Sequence, residues 1–217
     1  MPNRAARRSV RHASLPHPFR RAYPMDMAEA VHYWTPDEVR ALPEDGNRYE
    51  CIDGVLLVTP RPRPVHQYAV DELSDRLKPY VRAQGLGDVI PLAADLELSA
   101  DALTVPDLFV IPGNPRRDVR KWSDVKRALL VVEVLSPSTA RYDRGLKRHF
   151  YQRAPVNEYW IVDVDARVIE RWRAGDERPD MLDVTLEWRP AGASKPFTLD
   201  LRDYFAAVMP GEPPARG

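Results

Sequence analysis

The stretch that most confines this chain is "ALLVVEVLSPS", residues 128–138. Leu129, Leu130, Val131 and Val132 run into Val134 and Leu135, and Ser136-Pro137-Ser138 closes the run. A continuous, β-branched apolar run of this length reads as a strand buried on both faces, which requires a sheet covered on two sides. Glu133 stands in the middle of it. A carboxylate is almost never buried without a partner, so any fold that accepts this strand must also answer Glu133.

The rest of the pattern supplies the cover. "WTPDEVRALP" opens with a helix start: Thr35 as N-cap, Pro36 at N1 and Glu38 at N3 completing a capping box. "RYECIDGVLLVTP" reads as a hairpin turning at Asp53-Gly54. Residues 65–84 place Val70, Leu73, Leu77, Tyr80 and Val81 at helical spacing, with Pro79 in the last turn and Gly85 as the stop. Strands follow at "GDVIPLA", "DLELS" and "TVPDLFVIP" (104–112), then a charged loop over 113–127. "YDRGLKRHFYQRA" reads as a helix with Leu146, Phe150 and Ala154 on its inner face. "EYWIVDVDARVIERWRA" is a second hairpin turning near Asp165-Ala166; strand pattern at 181–188 and a short helix near 200–208 finish the chain. No repeat of 20–50 residues excludes solenoids. The order indicates an α/β class, an α+β arrangement around a mixed sheet.

At 217 residues one domain is expected, over 28–209, between a disordered basic tail (1–27) and a C-terminal tail (210–217). No window offers the roughly 18 apolar residues of a membrane span. The lone Cys51 excludes an internal disulfide and points to a reducing, cytoplasmic setting. The net charge of zero hides an uneven distribution. Residues 1–24 hold six arginines and no acid, leaving 26 basic against 32 acidic residues elsewhere; residues 116–153 hold eleven Lys/Arg against four Asp/Glu. A basic zone on an acidic body points to a local anionic ligand.

Asp107 interrupts "TVPDLFVI" much as Glu133 interrupts its own run. Each charge in an apolar strand costs several kcal/mol unless compensated. One divalent cation could answer both, since Mg²⁺ needs only one or two carboxylates and keeps several waters. Separate pairing of each acid with arginine or backbone is the other solution. Five histidines without close spacing disfavour a zinc site, and ten scattered glycines form no phosphate-cradling loop.

Five blocks in order, "YWTPDEVRALPEDGNRYECIDGVLLV", "PRPVHQY", "VPDLFVI", "VVEVLSPSTARYDRGLKRHFYQR" and "NEYWIVD", span roughly residues 33–163. Together they resemble the Uma-two family of restriction endonucleases, a bacterial branch of the PD-(D/E)xK nuclease superfamily. The resemblance implies a mixed central sheet flanked by helices. It also implies Asp107 and Glu133 as Mg²⁺ (or Mn²⁺) ligands, joined by the Val134 carbonyl and by Glu50, directly or through water. His66 and Gln67 match a polar pair at the site's edge. Glu50 could instead pair with Arg48, and Tyr159 and Trp160 read as packing residues.

One motif position departs. The superfamily pattern expects lysine two residues after the glutamate, on the same strand face, and this chain has Leu135. The resemblance implies that Lys147, on the following helix at the rim of its buried face, takes that role. The expected activity is metal-assisted phosphodiester hydrolysis of DNA, with a homodimer supplying two sites. Arg116, Arg117, Arg120, Lys121, Arg141, Arg144 and Arg148 are the candidate phosphate contacts. The alternative is a nuclease-like fold kept as a nucleic-acid- or protein-binding module without catalysis, motivated by Leu135 and the acidic body.

Overall fold

The computed structural model of the protein describes residues 32–91 and 94–211. The expected N-terminal tail and residues 212–217 lie outside that range. Helix α1 (Pro36–Arg40) carries the capping box read from sequence: Thr35 accepts from the Glu38 N–H, and the Glu38 carboxylate accepts from Thr35 N–H. Strands β1 (Arg48–Ile52) and β2 (Val55–Thr59) form the first hairpin. Its turn needs positive φ at both central residues, and Asp53 (50°) and Gly54 (79°) supply it. Helix α2 (Pro64–Ala83) buries Val70, Leu73, Leu77 and Val81.

Strands β3 (Gly87–Pro91), β4 (Leu96–Ser99), β5 (Ala102–Thr104) and β6 (Leu108–Pro112) come next. The single strand expected over 104–112 is therefore two, and they belong to different sheets. Pro106 has no N–H to give a ladder, and the chain crosses between sheets at Val105–Asp107. The expected loop 113–127 contains helix α3 (Pro115–Asp118) and a 3₁₀ turn (Trp122–Asp124). Strand β7 (Leu130–Val134) is buried at every position.

The helix expected over 142–154 is three pieces: α4 (Ala140–Tyr142), a π-helical turn (Asp143–Lys147) and α5 (Arg148–Arg153). A π turn bonds i to i+5, so each residue advances less than the 100° of an α-helix. Lys147 consequently faces the sheet instead of sitting at a rim. Asp143, Lys147, Phe150 and Tyr151 are buried, and Leu146 and Ala154 are only partly so. Strands β8 (Tyr159–Asp163) and β9 (Val168–Trp172) form the second hairpin. The 181–188 pattern resolves into β10 (Asp180–Leu182) and β11 (Thr185–Trp188), and β12 (Phe197–Asp200), absent from the sequence reading, pairs with β11. Helix α6 (Leu201–Val208) follows, its first turn capped by Asp200.

The central sheet has the order β10-β9-β8-β7-β6-β3 and is mixed: β7 and β8 are parallel, joined across α4–α5, and the other pairs are antiparallel. One face packs on α2, α6 and the β11–β12 ribbon through Leu108, Val110, Leu130, Val132, Trp160 and Val162. The other face packs on α5 and on a four-stranded sheet, β2-β1-β5-β4, through Phe109, Val131 and Ile161. Among the described residues no helix is long and apolar enough to cross a membrane.

Candidate active site

Leu108 pairs with Val132, and Phe109 with Val131. Continuing that register one step sets Asp107 opposite Glu133, on the sheet face that carries Phe109 and Val131. Asp107 precedes the first residue of β6, and its side chain does what a backbone carbonyl would otherwise do. Its Oδ2 accepts the Val134 N–H at 2.8 Å. Oδ2 also takes His66 Nε2 at 2.9 Å, and Oδ1 takes Arg48 Nη1 at 2.9 Å. The same Arg48 nitrogen donates to the Val105 carbonyl at 3.0 Å, so the crossing segment and its acid are held together.

Glu133 is answered by Lys147, whose Nζ lies 3.0 Å from Oε1. That ammonium also meets Glu50 Oε2 at 2.8 Å and Asp143 Oδ1 at 3.7 Å. The other Glu50 oxygen accepts the Val105 N–H at 2.8 Å. Each of the two strand acids thus has its own protein partner, where the sequence left open a single shared cation. Arg48 pairs with Asp107 and not, as the sequence also allowed, with Glu50.

The charges do not balance. Glu50, Asp107, Glu133 and Asp143 are all buried, against two permanent cations, Lys147 and Arg48. Burial holds Glu133 well above the usual carboxylate range; Lys147 opposes this, while the charges of Asp107, Asp143 and Glu50 reinforce it. Burial likewise pushes Asp143 up to about 6. Asp107 stays below the usual range, because the His66 contact, Arg48 and the Val134 N–H together outweigh its burial. Lys147 remains firmly protonated: Glu133, Glu50 and Asp143 outweigh the cost of burying an ammonium.

A cavity of about 220 Å³ opens onto Asp107, Glu133, Val134, Lys147, Arg48 and His66. One wall is the segment Thr59–Arg63, with exposed Arg61 and Arg63; the other is Ser136–Thr139. Among the described residues no group of three or more His, Cys, Asp or Glu side chains is arranged to hold a metal ion. Two hard carboxylates and a backbone carbonyl in an electronegative cavity nonetheless match the donor set of a hydrated Mg²⁺ ion, which draws its remaining ligands from water.

The structure thus gathers Glu50, Asp107, Glu133, Val134, Lys147 and His66 at one place. Gln67 does not join them; it donates to Asp71 along α2. The basic candidates also lie elsewhere. Arg144 is bound by Asp163 and Glu170, at 2.8 and 2.6 Å. Arg148 lies over the Trp172 ring at 4.7 Å, and Arg141 is exposed on α4. Arg117 pairs with Asp118, while Arg116, Arg120 and Lys121 line a separate groove beyond the far end of β6. Tyr159 and Trp160 are buried packing residues.

Sequence reasoning missed Asp143, the cleft arginines Arg61 and Arg63, and Arg48 as the partner of Asp107. Two of these left a signal. Asp143 precedes Lys147 by four residues, and Arg48 shares a strand face with Glu50.

Comparison with known proteins follows the same lines. The family model for Uma2, described as "Putative restriction endonuclease", matches residues 36–199. A crystal structure from Anabaena variabilis ATCC 29413, described as "a putative nuclease belonging to DUF820", superposes with a TM-score of 0.67 at 22% identity. The match covers 81% of this chain and 99% of that one, and at this identity the likeness is one of fold. No curated protein matches the sequence.

Proposed function

The chain belongs to the Uma2 family, and from that premise we propose that its acid cleft hydrolyses DNA phosphodiester bonds with a bound divalent cation, Mg²⁺ or Mn²⁺. The observation that carries this reading is the surplus of buried carboxylates, four against two permanent cations, around a cavity open to substrate. Asp107, Glu133 and the Val134 carbonyl would hold the ion, with Glu50 behind them. Bound there, a divalent cation supplies Lewis-acid polarisation of the phosphate and a water acidic enough to attack at neutral pH.

The chain's own groups have distinct tasks. His66 and Arg48 fix the Asp107 carboxylate, each taking one of its oxygens. Lys147 holds its ammonium at Glu133 and can orient the attacking water or offset charge developing on the phosphate. Glu50 and Asp143 keep that ammonium in place when Glu133 turns to other partners. Arg61 and Arg63, exposed on one wall, face the flanking phosphates. Cutting both strands requires two such clefts, supplied by a second copy of the chain.

The test is cleavage of supercoiled plasmid. Nicked or linear product is expected with Mg²⁺ or Mn²⁺, none with EDTA, and none from Asp107→Asn. Cutting that survives Asp107→Asn would remove the assignment. One observation supports a second reading, a nuclease fold that binds without cutting: each strand acid already has a protein cation. That reading predicts DNA binding indifferent to metal and no cleavage of any substrate.

A further inference from the structure

The segment between β6 and β7 builds a second feature, separate from the cleft. Asp107 precedes the first residue of β6 and Ile111 sits near its last, about 13 Å away along an extended chain. Around Ile111 lies a groove of about 340 Å³ with an apolar floor of Ile90, Ile111 and Val119. Arg120, Lys121 and Trp122 stand along its edge.

This edge is held in shape by specific contacts. The Asp124 carboxylate accepts the backbone N–H of both Arg120 and Lys121 at 2.9 Å, closing the 3₁₀ turn. Trp122 meets the buried ring of Phe109 edge-on, centroids 6.0 Å apart at 77°. It nevertheless stays 39% exposed, a large apolar ring fixed in place at the surface. Arg116 is paired with Asp88; among the described residues Arg120 and Lys121 form no ion pair, though the Asp124 carboxylate feels the Lys121 charge. An aromatic ring held beside two cations outside any ion pair is complementary to a base joined to a phosphate. The groove's volume is at the small end for ligand pockets, enough for a base but not for a duplex.

We propose that this groove holds single-stranded nucleic acid, one base lying against Trp122 and the apolar floor, its phosphates on Arg120 and Lys121. The proposal rests on the nuclease reading only in giving that cleft's polymer a second point of attachment. Its test needs no cleavage.

Fluorescence anisotropy of the full chain would be measured in EDTA with labelled oligo-dT and oligo-U of about twelve nucleotides, within the usual single-strand site size. Trp122→Ala is expected to weaken binding about tenfold on at least one of the two, and Trp122→Phe to restore most of it. Arg120→Ala with Lys121→Ala should flatten the log–log salt dependence by about 0.7 per charge removed. Unchanged melting temperatures would show that these surface variants fold. The proposal is overturned if Trp122→Ala binds like the parent, or if a duplex of equal length shows the same dependence on Trp122. Equal competition by polyglutamate would overturn it as well, since the groove would then be a general anion site. Plasmid cleavage with an indifferent Trp122 removes this site and leaves the nuclease reading standing; Trp122-dependent binding without cleavage does the reverse.

Discussion

The two faces of the central sheet are built from the same strands and behave as opposites. On one, Leu108, Val110, Leu130, Val132 and Trp160 meet α2 and α6 with no buried carboxylate or lysine among them. On the other, or on elements covering it, lie Lys147 and every buried acid among the described residues: Glu50, Asp107, Glu133, Asp143 and Glu170. One step along β7 changes the environment from a dry core to a cluster of interacting charges. Alternation along a strand is what makes this possible, because each face can be written almost independently of the other. The first face stabilises the molecule, and the second consumes part of that stability to keep charge out of water.

The strongest way to break this division is Lys147→Ala. It strands Glu50 and Glu133 without their ammonium, and a loss of about 3–5 kcal/mol is expected in denaturant titration, together with loss of plasmid cutting. Leu130→Ala, on the dry face, should cost a comparable amount, about 2–5 kcal/mol. Its cutting per folded molecule should match the parent. If both variants lose activity in proportion to stability, the faces are not separable.

Acidity gives a finer test. Asp143, at about 6 against an unfolded value of 3.8, contributes stability that is complete below 3.8 and is lost as pH rises through 6. Lowering the pH from 7.5 to 5, one unit below 6, should therefore raise the melting temperature, by the equivalent of about 1 kcal/mol from Asp143, with Glu133 acting in the same direction. Asp107 has the opposite sign, present above 3.8 and lost only in stronger acid, so it does not interfere in this window. Asp143→Asn should flatten the rise. The cation itself gives a further test. Mg²⁺ at a hundredfold excess over its dissociation constant should stabilise the chain by about 2–3 kcal/mol, an increment absent from Asp107→Asn.

The parts of this picture that were legible in sequence are those fixed by local pattern. The β1–β2 hairpin, the capping box of α1 and the buried strand β7 each depend on neighbours a few residues apart, and each is present. That Asp107 and Glu133 belong to one site is legible as two acids misplaced in apolar runs. What failed depends on the path of the chain. Nothing in "TVPDLFVIP" except Pro106 marks the change of sheet between β5 and β6. A π turn leaves no trace in a 3.6-residue periodicity, so the spacing puts Lys147 at a rim while the structure buries it. Charge density along the chain also misled: Arg144 is engaged by acids on β8 and β9 that sequence proximity could not reveal.

The reach of Lys147 has a consequence for how the molecule matures. Its ammonium binds acids supplied by β1 and β7, and the Glu50 partner lies nearly a hundred positions earlier in the chain. Loops of that span close late, after local hairpins and helices have formed. A chain that has emerged only as far as its first hairpins therefore holds Glu50 without its ammonium, and the charge cluster exists only once β1, β7 and the turn carrying Lys147 have been drawn together.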